Sequence, residues 1–519
     1  MSHRGRGVPW QEAVFVLLVI AHLVPVWAFS VFPSQDGPAH LDNANVIRRY
    51  DEPGRGLFRQ YYALAGPLEP NWAGHFFLAG LLRVADPKTA EKLLVSLCVL
   101  ALALAARYAV RPGASWPALL VLPFSLGWSI HMGFYYFSLS LALFFVAVGY
   151  WLRHEDLRAR ELATLAVLGL ALHFSHLVSL LAAVIVTTLL GVHLLARERS
   201  RMAAIRIAKT LAAFAPGLLL TGFFFLERPW ASYPASPPME QLRKLSSLEP
   251  LVSFADPEAL PAAAIFWTFA AVTTALLVLK LVRRSFARHD GLLLAAAGMI
   301  AIYVFAPGGA ANGGYLSPRL AIYPFLLLTM WFAAEDPPRL VRVAAQAAAA
   351  GLAVLLLFVR LPFYREAERG YAEYLAAGAL VKPDTTLLAL RQGEPRARGE
   401  AHSDRADVFL HAGGYIAAEK NVVQLVNYEA RTGHFPTAFR VRWDPYMHLG
   451  DPERNPPCVD LANYKRRTGR AVDYVLLWQF PVASGDPCTR LLLEQLRLDY
   501  QPVFTSESGR ARLFRVQAP

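Results

Sequence analysis

Cysteine and charge are what this sequence has least of. Three cysteines in 519 residues are too few for a disulfide-dense scaffold. Charged side chains make up 17% of the chain against 55% hydrophobic, and mean hydropathy is +0.34, which argues against an ordinary soluble chain. No repeat recurs at a solenoid period, and no low-complexity tract exists beyond Ala/Leu-rich stretches, so a repeat array is excluded. No glycine-rich phosphate loop follows any predicted strand, which leaves nucleotide binding of that kind without support.

What is present is apolar length. Runs of roughly 16 to 22 apolar residues recur over the first 360 or so positions, the length needed to cross hydrocarbon. The net charge of +12 suggests nucleic acid until the basic residues are placed. They crowd short loops on alternate sides of the runs: Arg4 and Arg6; Arg107 and Arg111; Arg153, Arg158 and Arg160; Arg197 to Arg206; Lys280 to Arg288; Arg339 and Arg342. That is the positive-inside pattern of a membrane protein. Between clusters, each apolar stretch is too long for one crossing and has a polar or glycine-rich tip, at His131-Met132-Gly133, His173 to His176, and Pro307 to Ser317. Each stretch therefore reads as a hairpin. The count is about eleven spans, N-terminus inside and C-terminus outside. The first run starts basic, but Val26-Trp27-Ala28-Phe29-Ser30 is a poor small-residue cleavage site, so it reads as an uncleaved anchor.

Two outer regions stand out. The first loop, 33–89, holds a short polar helix after Asp36 and a half-apolar stretch, Asn71 to Leu78, that reads as an interfacial helix. After about Leu361 charged residues become frequent and apolar runs shorten to strand length: Thr385 to Leu390, Val422 to Val426, Val472 to Trp478, Val503 to Thr505. Amphipathic stretches such as Cys488 to Leu498 lie between them. The expected organisation is a polytopic α-helical domain over 1–361 and an extracytoplasmic α/β domain over 362–519. Cys98 falls in the second span as a packing residue. Cys458 and Cys488 fall in the outer domain, where a disulfide can persist, and their pairing stays open because sequence gives no distance.

The densest chemistry lies in Gln35 to Tyr50, QDGPAHLDNANVIRRY. Asp36 has two readings. Gly37-Pro38 opens a helix, and an acid just before it suits the helix dipole. Alternatively, a carboxylate at the end of a membrane anchor can take a proton from a hydroxyl attacking a lipid-linked donor. His40 lies one turn on, near the same face; Asp42 points elsewhere and is expected to be solvated. His131, His173 and His176 fall at hairpin tips on the side expected for Asp36, where they are candidates to line a cavity. With His40 and His75 they place five imidazoles at one face. Histidines and a carboxylate suit zinc or a similar ion; interfacial imidazoles that bond loop carbonyls explain the same pattern without a metal. No cofactor is required. Arg319, at the outer start of the tenth span, must pair with an anion or snorkel, and guanidinium geometry suits a lipid phosphate. Arg228 and Lys244 are candidates of the same kind.

With these residues in view the chain resembles the GT-C superfamily of integral membrane glycosyltransferases, which contains protein mannosyltransferases and the aminoarabinose and oligosaccharyl transferases. The likeness is carried by DGPAH with Asp36, by PNWAGHFFLAGLL leading into EKLLVSLCVLALALAARYAV, and by YLSPRLAIYPFLLL with Arg319. It covers roughly the membrane half. One acid, followed by Gly-Pro-Ala-His, stands where those enzymes carry an acid pair in the first loop. The resemblance implies a polyprenyl-phosphate sugar donor, inversion at the anomeric carbon and Asp36 as base.

The expected function is a glycosyltransferase of a bacterial cytoplasmic membrane with its active site on the outer face. Asp36 and His40 would be catalytic, Arg319 and Arg228 would hold the donor phosphate, and the acceptor would be a glycan, lipid or protein. Nucleic acid is not a partner. The rivals are a transporter or scaffold, against which no matched pair of broken spans is found, and a metal-dependent hydrolase built on the histidines.

Overall fold

The structure is a computed structural model that describes residues 9–66, 68–110, 116–227, 233–309, 313–335, 337–393 and 405–517. The chain divides into two compact units, one made of 1–26, 95–130 and 134–361, the other of 27–94, 131–133 and 362–519. The second unit joins the first outer loop to the C-terminal region, a grouping absent from the sequence reading.

Among the described residues nine helices are long and apolar enough to cross a membrane, from Trp10–Ala28 to Arg339–Leu380. Hydrocarbon leaves backbone amides no partner but their own carbonyls, which is why these runs are helical. The difference from about eleven has two sources. Ala159–Ser175 is a helix of 17 residues, at the lower edge of the length that crosses hydrocarbon. The stretch 116–131 breaks into Trp116–Val121, Leu122–Ser125 and Trp128–His131, where Pro117 and Pro123 interrupt the ladder.

In the first unit small residues let helices approach closely. A Cβ on Gly169 would sit 2.9 Å from the Phe214 ring, and one on Gly217 would sit 2.9 Å from the Gly169 carbonyl oxygen, the packing used where lipid supplies no hydrophobic drive. Polar links run between the helices: Ser179 bonds Ser140 at 2.5 Å and the Tyr323 hydroxyl at 2.6 Å, and Trp151 Nε1 donates to Thr210 at 2.8 Å. One ion pair is buried. Arg360 Nη2 lies 2.8 Å from Glu258 Oε2 and donates to the Val252 carbonyl at 2.9 Å.

In the second unit a five-stranded sheet has the order Val423–Gln424, Thr386–Arg391, Tyr474–Trp478, Ala511–Val516, Tyr500–Thr505. The first three strands are parallel and the last two join antiparallel. Tyr474–Trp478 is buried throughout, as a central strand should be. Ala511–Val516 was not foreseen; only Ala511 and Leu513 of it are buried, so its alternation is short. The helix Pro487–Asp499 is capped by Asp486, which accepts from Thr489 N at 2.7 Å.

Cys458 and Cys488 are bonded, with Cα atoms 4.8 Å apart and 30 residues between them in sequence. Closing a loop of that length restrains the unfolded chain by about 3–4 kcal/mol. Cys458→Ser is therefore expected to lower the denaturant midpoint of the C-terminal region, and dithiothreitol to do the same to the native chain. An unchanged midpoint in both would show that the bond carries no stability.

From the first outer loop come the helices Gly37–Arg49, Gly56–Tyr61 and Trp72–Leu81, and a strand, Tyr62–Leu64, that pairs antiparallel with Thr437–Phe439. The polar helix after Asp36 is buried from Gly37 to Val46. It is an internal element of its unit and not a solvated one.

Candidate active site around Asp36

Asp36 occupies the N-cap position of the Gly37–Arg49 helix, yet its side chain makes no capping bond. The dipole-and-cap reading thus leaves its carboxylate unused. The group is 5% exposed and lies outside the spanning helices. Gln35 Nε2 donates to its Oδ1 at 3.1 Å, the Tyr428 hydroxyl bonds to it, and His411 Nε2 stands 3.6 Å from Oδ1. Burial pushes the Asp36 carboxyl up to about 6, against the opposing pull of the His40 charge and the Gln35 amide.

The turn that carries Asp36 is pinned from two sides. Gln35 N donates to the His131 carbonyl at 2.8 Å and Asp36 N to the Met132 carbonyl at 3.2 Å. Gly133 then turns away at φ +82°, and a Cβ there would fall 2.6 Å from Gly37 N and 2.9 Å from Asp36 Cβ. Only glycine meets both demands. Gly133→Ala is expected to lower stability by about 1–3 kcal/mol through backbone strain and to shift the Asp36 turn. A wild-type unfolding temperature for that variant would contradict the close approach.

His411 rests on the Tyr428 ring at 4.8 Å, and its buried Nδ1 has no hydrogen-bond partner among the described residues. Burial pulls this imidazole down to about 3, so it is neutral and does not form an ion pair with Asp36 at physiological pH. A carboxylate with a raised pKa beside a neutral imidazole is a competent proton acceptor.

One turn on, His40 departs from its expected place at the Asp36 carboxylate. Its Nδ1 pairs with Glu429 and its Nε2 bonds the Gly133 carbonyl oxygen at 2.9 Å. Its influence on Asp36 is through charge. Burial alone would lower His40, but Glu429 raises it. Glu429 in turn, despite burial, is held low by His40 and His75. His75 Nε2 lies 2.7 Å from Glu429 Oε2. Asp42 corrects the sequence reading: it is 1% exposed, with one oxygen accepting from Asn427 Nδ2 at 3.3 Å. Burial and the Glu429 charge push it well above the usual carboxylate range.

The remaining candidates divide between the units. His131 lies in the second, where its Nε2 meets the Tyr364 hydroxyl at 2.9 Å. His173 and His176 lie in the first. His173 Nδ1 bonds Thr221 Oγ1 at 3.0 Å, and His176 caps the next helix by accepting from Val178 N at 3.3 Å. Arg319, also in the first unit, donates to the Gly314 carbonyl at 2.7 Å and lies 4.2 Å from the Phe134 ring centre, a cation–π geometry. Arg228 falls outside the described residues, and Lys244 pairs with Glu240 at 2.6 Å.

Sequence reasoning missed His411, Tyr428 and Glu429, all nearly 400 residues from Asp36. One signal pointed to them: Asn427, Tyr428 and Glu429 lie a few residues beyond the strand Val423–Gln424, and sites gather beyond the carboxyl ends of parallel strands.

No protein-family model and no curated protein matches the chain. Among solved structures it is similar to ArnT from Cupriavidus metallidurans in the apo state, with a TM-score of 0.58, 13% identity and 97% of each chain covered. It also aligns with the arabinofuranosyltransferase AftD from Mycobacteria, at a TM-score of 0.45 and 13% identity, covering all of this chain and 42% of that one. The first likeness extends over almost the whole of both chains and shows a shared fold, that of a polytopic helical membrane protein.

Proposed function

We propose that this chain, with an ArnT-like fold, is a membrane glycosyltransferase that moves a sugar from a polyprenyl-phosphate donor to an acceptor hydroxyl. In this reading Asp36 accepts the proton of that hydroxyl as its oxygen attacks the anomeric carbon. The bond to the donor phosphate breaks on the opposite face, so the configuration inverts, and the polyprenyl phosphate leaves with its charge. Arg319 and Arg228 are the candidates to bind the donor phosphate. The reading sets the reaction on the outer face of a bacterial cytoplasmic membrane, an orientation that the positive-inside pattern supports.

One observation carries the proposal: a buried carboxyl group placed at a helix start, not used to cap it, and faced by a neutral imidazole. Desolvating a carboxyl costs free energy, and one with a raised pKa beside a specific partner marks a candidate functional site. The fold adds a prior and no more. The proposal is tested by mass spectrometry of lipid-linked sugars and envelope glycans with and without the gene. Loss of one glycan substituent with build-up of its polyprenyl-phosphate sugar is expected. Identical profiles would overturn the reading.

A further inference from the structure

Gln35 stands directly before Asp36, and its side chain is held at both ends. Its Nε2 donates to Asp36 Oδ1 at 3.1 Å, and its Oε1 accepts from the backbone N–H of Asp407 at 2.9 Å. A backbone N–H only donates, so the atom facing it must be the amide oxygen. The amide NH2 is thereby turned to the Asp36 carboxyl, and a flipped amide would lose both contacts.

Asp407 is itself fixed, and by the same unit. Its carboxylate pairs with Arg391, the last residue of the strand Thr386–Arg391, which lies between two other strands of the sheet. Its Oδ1 also accepts from Phe409 N at 3.2 Å. The Phe409 ring packs on Trp478 and Tyr371, with ring centres 4.7 and 4.9 Å away. The Tyr371 hydroxyl donates to the Val408 carbonyl at 2.6 Å. A sheet of the C-terminal region thus reaches the turn at Asp36 through one short segment and one side chain.

We infer that Gln35 is a positioning residue for the base: its amide, oriented by the Asp407 N–H, fixes the plane of the Asp36 carboxylate and stabilises its charge. This rests on the reading of Asp36 as proton acceptor. A donor hydrogen-bonded to a carboxylate favours the ionised form, and such charge-assisted bonds are stronger than neutral ones. Fixing Oδ1 also sets where the other oxygen points, which is the geometric control a general base needs. A neutral amide suits the task better than a cation. Arg or Lys at 35 would hold the carboxyl lower and weaken it as a base.

Other groups face the same carboxyl. His40 comes from its own helix, Tyr428 and Glu429 from the helix Tyr428–Thr432, His411 from the segment before Gly413–Lys420, and Glu453 from the loop after Gly450–Asp451. Burial raises Asp36 most; His40, Gln35 and Tyr428 pull it down, and Glu429 pushes it up. His411 Nε2, at 3.6 Å, is too far for a hydrogen bond. Gln35 differs from all of these in having no proton to gain or lose, so an apolar replacement removes no titrating group.

The test reads the Asp36 carboxyl and sugar transfer separately, on purified full chain. Infrared difference spectra across a pH titration, with the carboxyl band assigned by its loss in Asp36→Asn, give the midpoint, expected at about 6 in the wild type. Gln35→Met keeps the length of the side chain and lacks the amide. It should raise the midpoint by about one pH unit, a tenfold change in ionisation constant, the worth of one hydrogen bond to a charged group. Gln35→Glu still accepts from Asp407 but sets a like charge beside Asp36, and should raise the midpoint further. Asp36 must be ionised to accept a proton, so the acid limb of the transfer profile should move to higher pH by the same amount. KM for the donor should not change, whereas a merely structural loss would lower the rate at every pH. Should Gln35→Met fail to fold, Gln35→Glu decides. A raised midpoint in a chain that transfers no sugar would support the role of Gln35 and reject only the base reading. A wild-type midpoint in the folded variants would overturn the assignment, whether or not the wild type transfers sugar.

Discussion

Replacing Asp36 by Asn is expected to reduce sugar transfer by roughly 10²–10⁴-fold, the range that a positioned general base contributes. The substitution keeps the shape of the side chain and removes its capacity to accept a proton. The amide can still meet Gln35 and His411, so the fold should persist. Loss of kcat with KM for the donor nearly unchanged would place Asp36 in the chemical step. Unfolding temperature and elution volume equal to the wild type would exclude a collapsed variant. Asp36→Glu should recover part of the rate, because a base displaced by one methylene still titrates but sits poorly for attack. Equal turnover in wild type and Asp36→Asn would remove the proposed role.

The largest effect on stability should come from Arg360. Its guanidinium is 2% exposed, Glu258 is 1% exposed, and the pair is doubly bonded, by Nε at 3.1 Å and Nη2 at 2.8 Å. Removing one partner of a buried pair strands the other charge, at a cost of about 3–5 kcal/mol. Arg360→Leu should therefore lower the unfolding temperature in detergent by roughly 5–10 °C or more. The double variant Arg360→Met with Glu258→Met should regain much of the loss, since an apolar pair of similar volume leaves no buried charge. Equal destabilisation in the single and double variants would mean that packing against Phe254, whose ring centre lies 5.3 Å from the guanidinium, dominates instead.

Much of the architecture was legible because lipid solvent imposes a simple rule. Apolar runs between basic clusters must be helices, and the described spans follow those runs. The rule fails where length is marginal or proline intervenes, as at Ala159–Ser175 and at 116–131. Strands of the outer region were readable where burial is continuous, as at Tyr474–Trp478, and missed where one face is wet, as at Ala511–Val516. At the site the sequence pointed to Asp36, because a lone acid after a membrane anchor is conspicuous. It misjudged Asp42, since helical spacing gives direction but not what packs there; Asn427 and Thr437 of the C-terminal region join Asn43 and cover that face. Glu429 and His411 were out of reach for the same reason. Their partners are distant in sequence, and only the folded unit brings them together.

The most direct measurement follows one labelled sugar in proteoliposomes that hold the purified chain, a polyprenyl-phosphate sugar and an extract of envelope acceptors. The expected result is transfer by the wild type to an acceptor hydroxyl, with the anomeric configuration opposite to that of the donor, and no transfer by Asp36→Asn. Transfer with retained configuration, or at the wild-type rate in the variant, would contradict it.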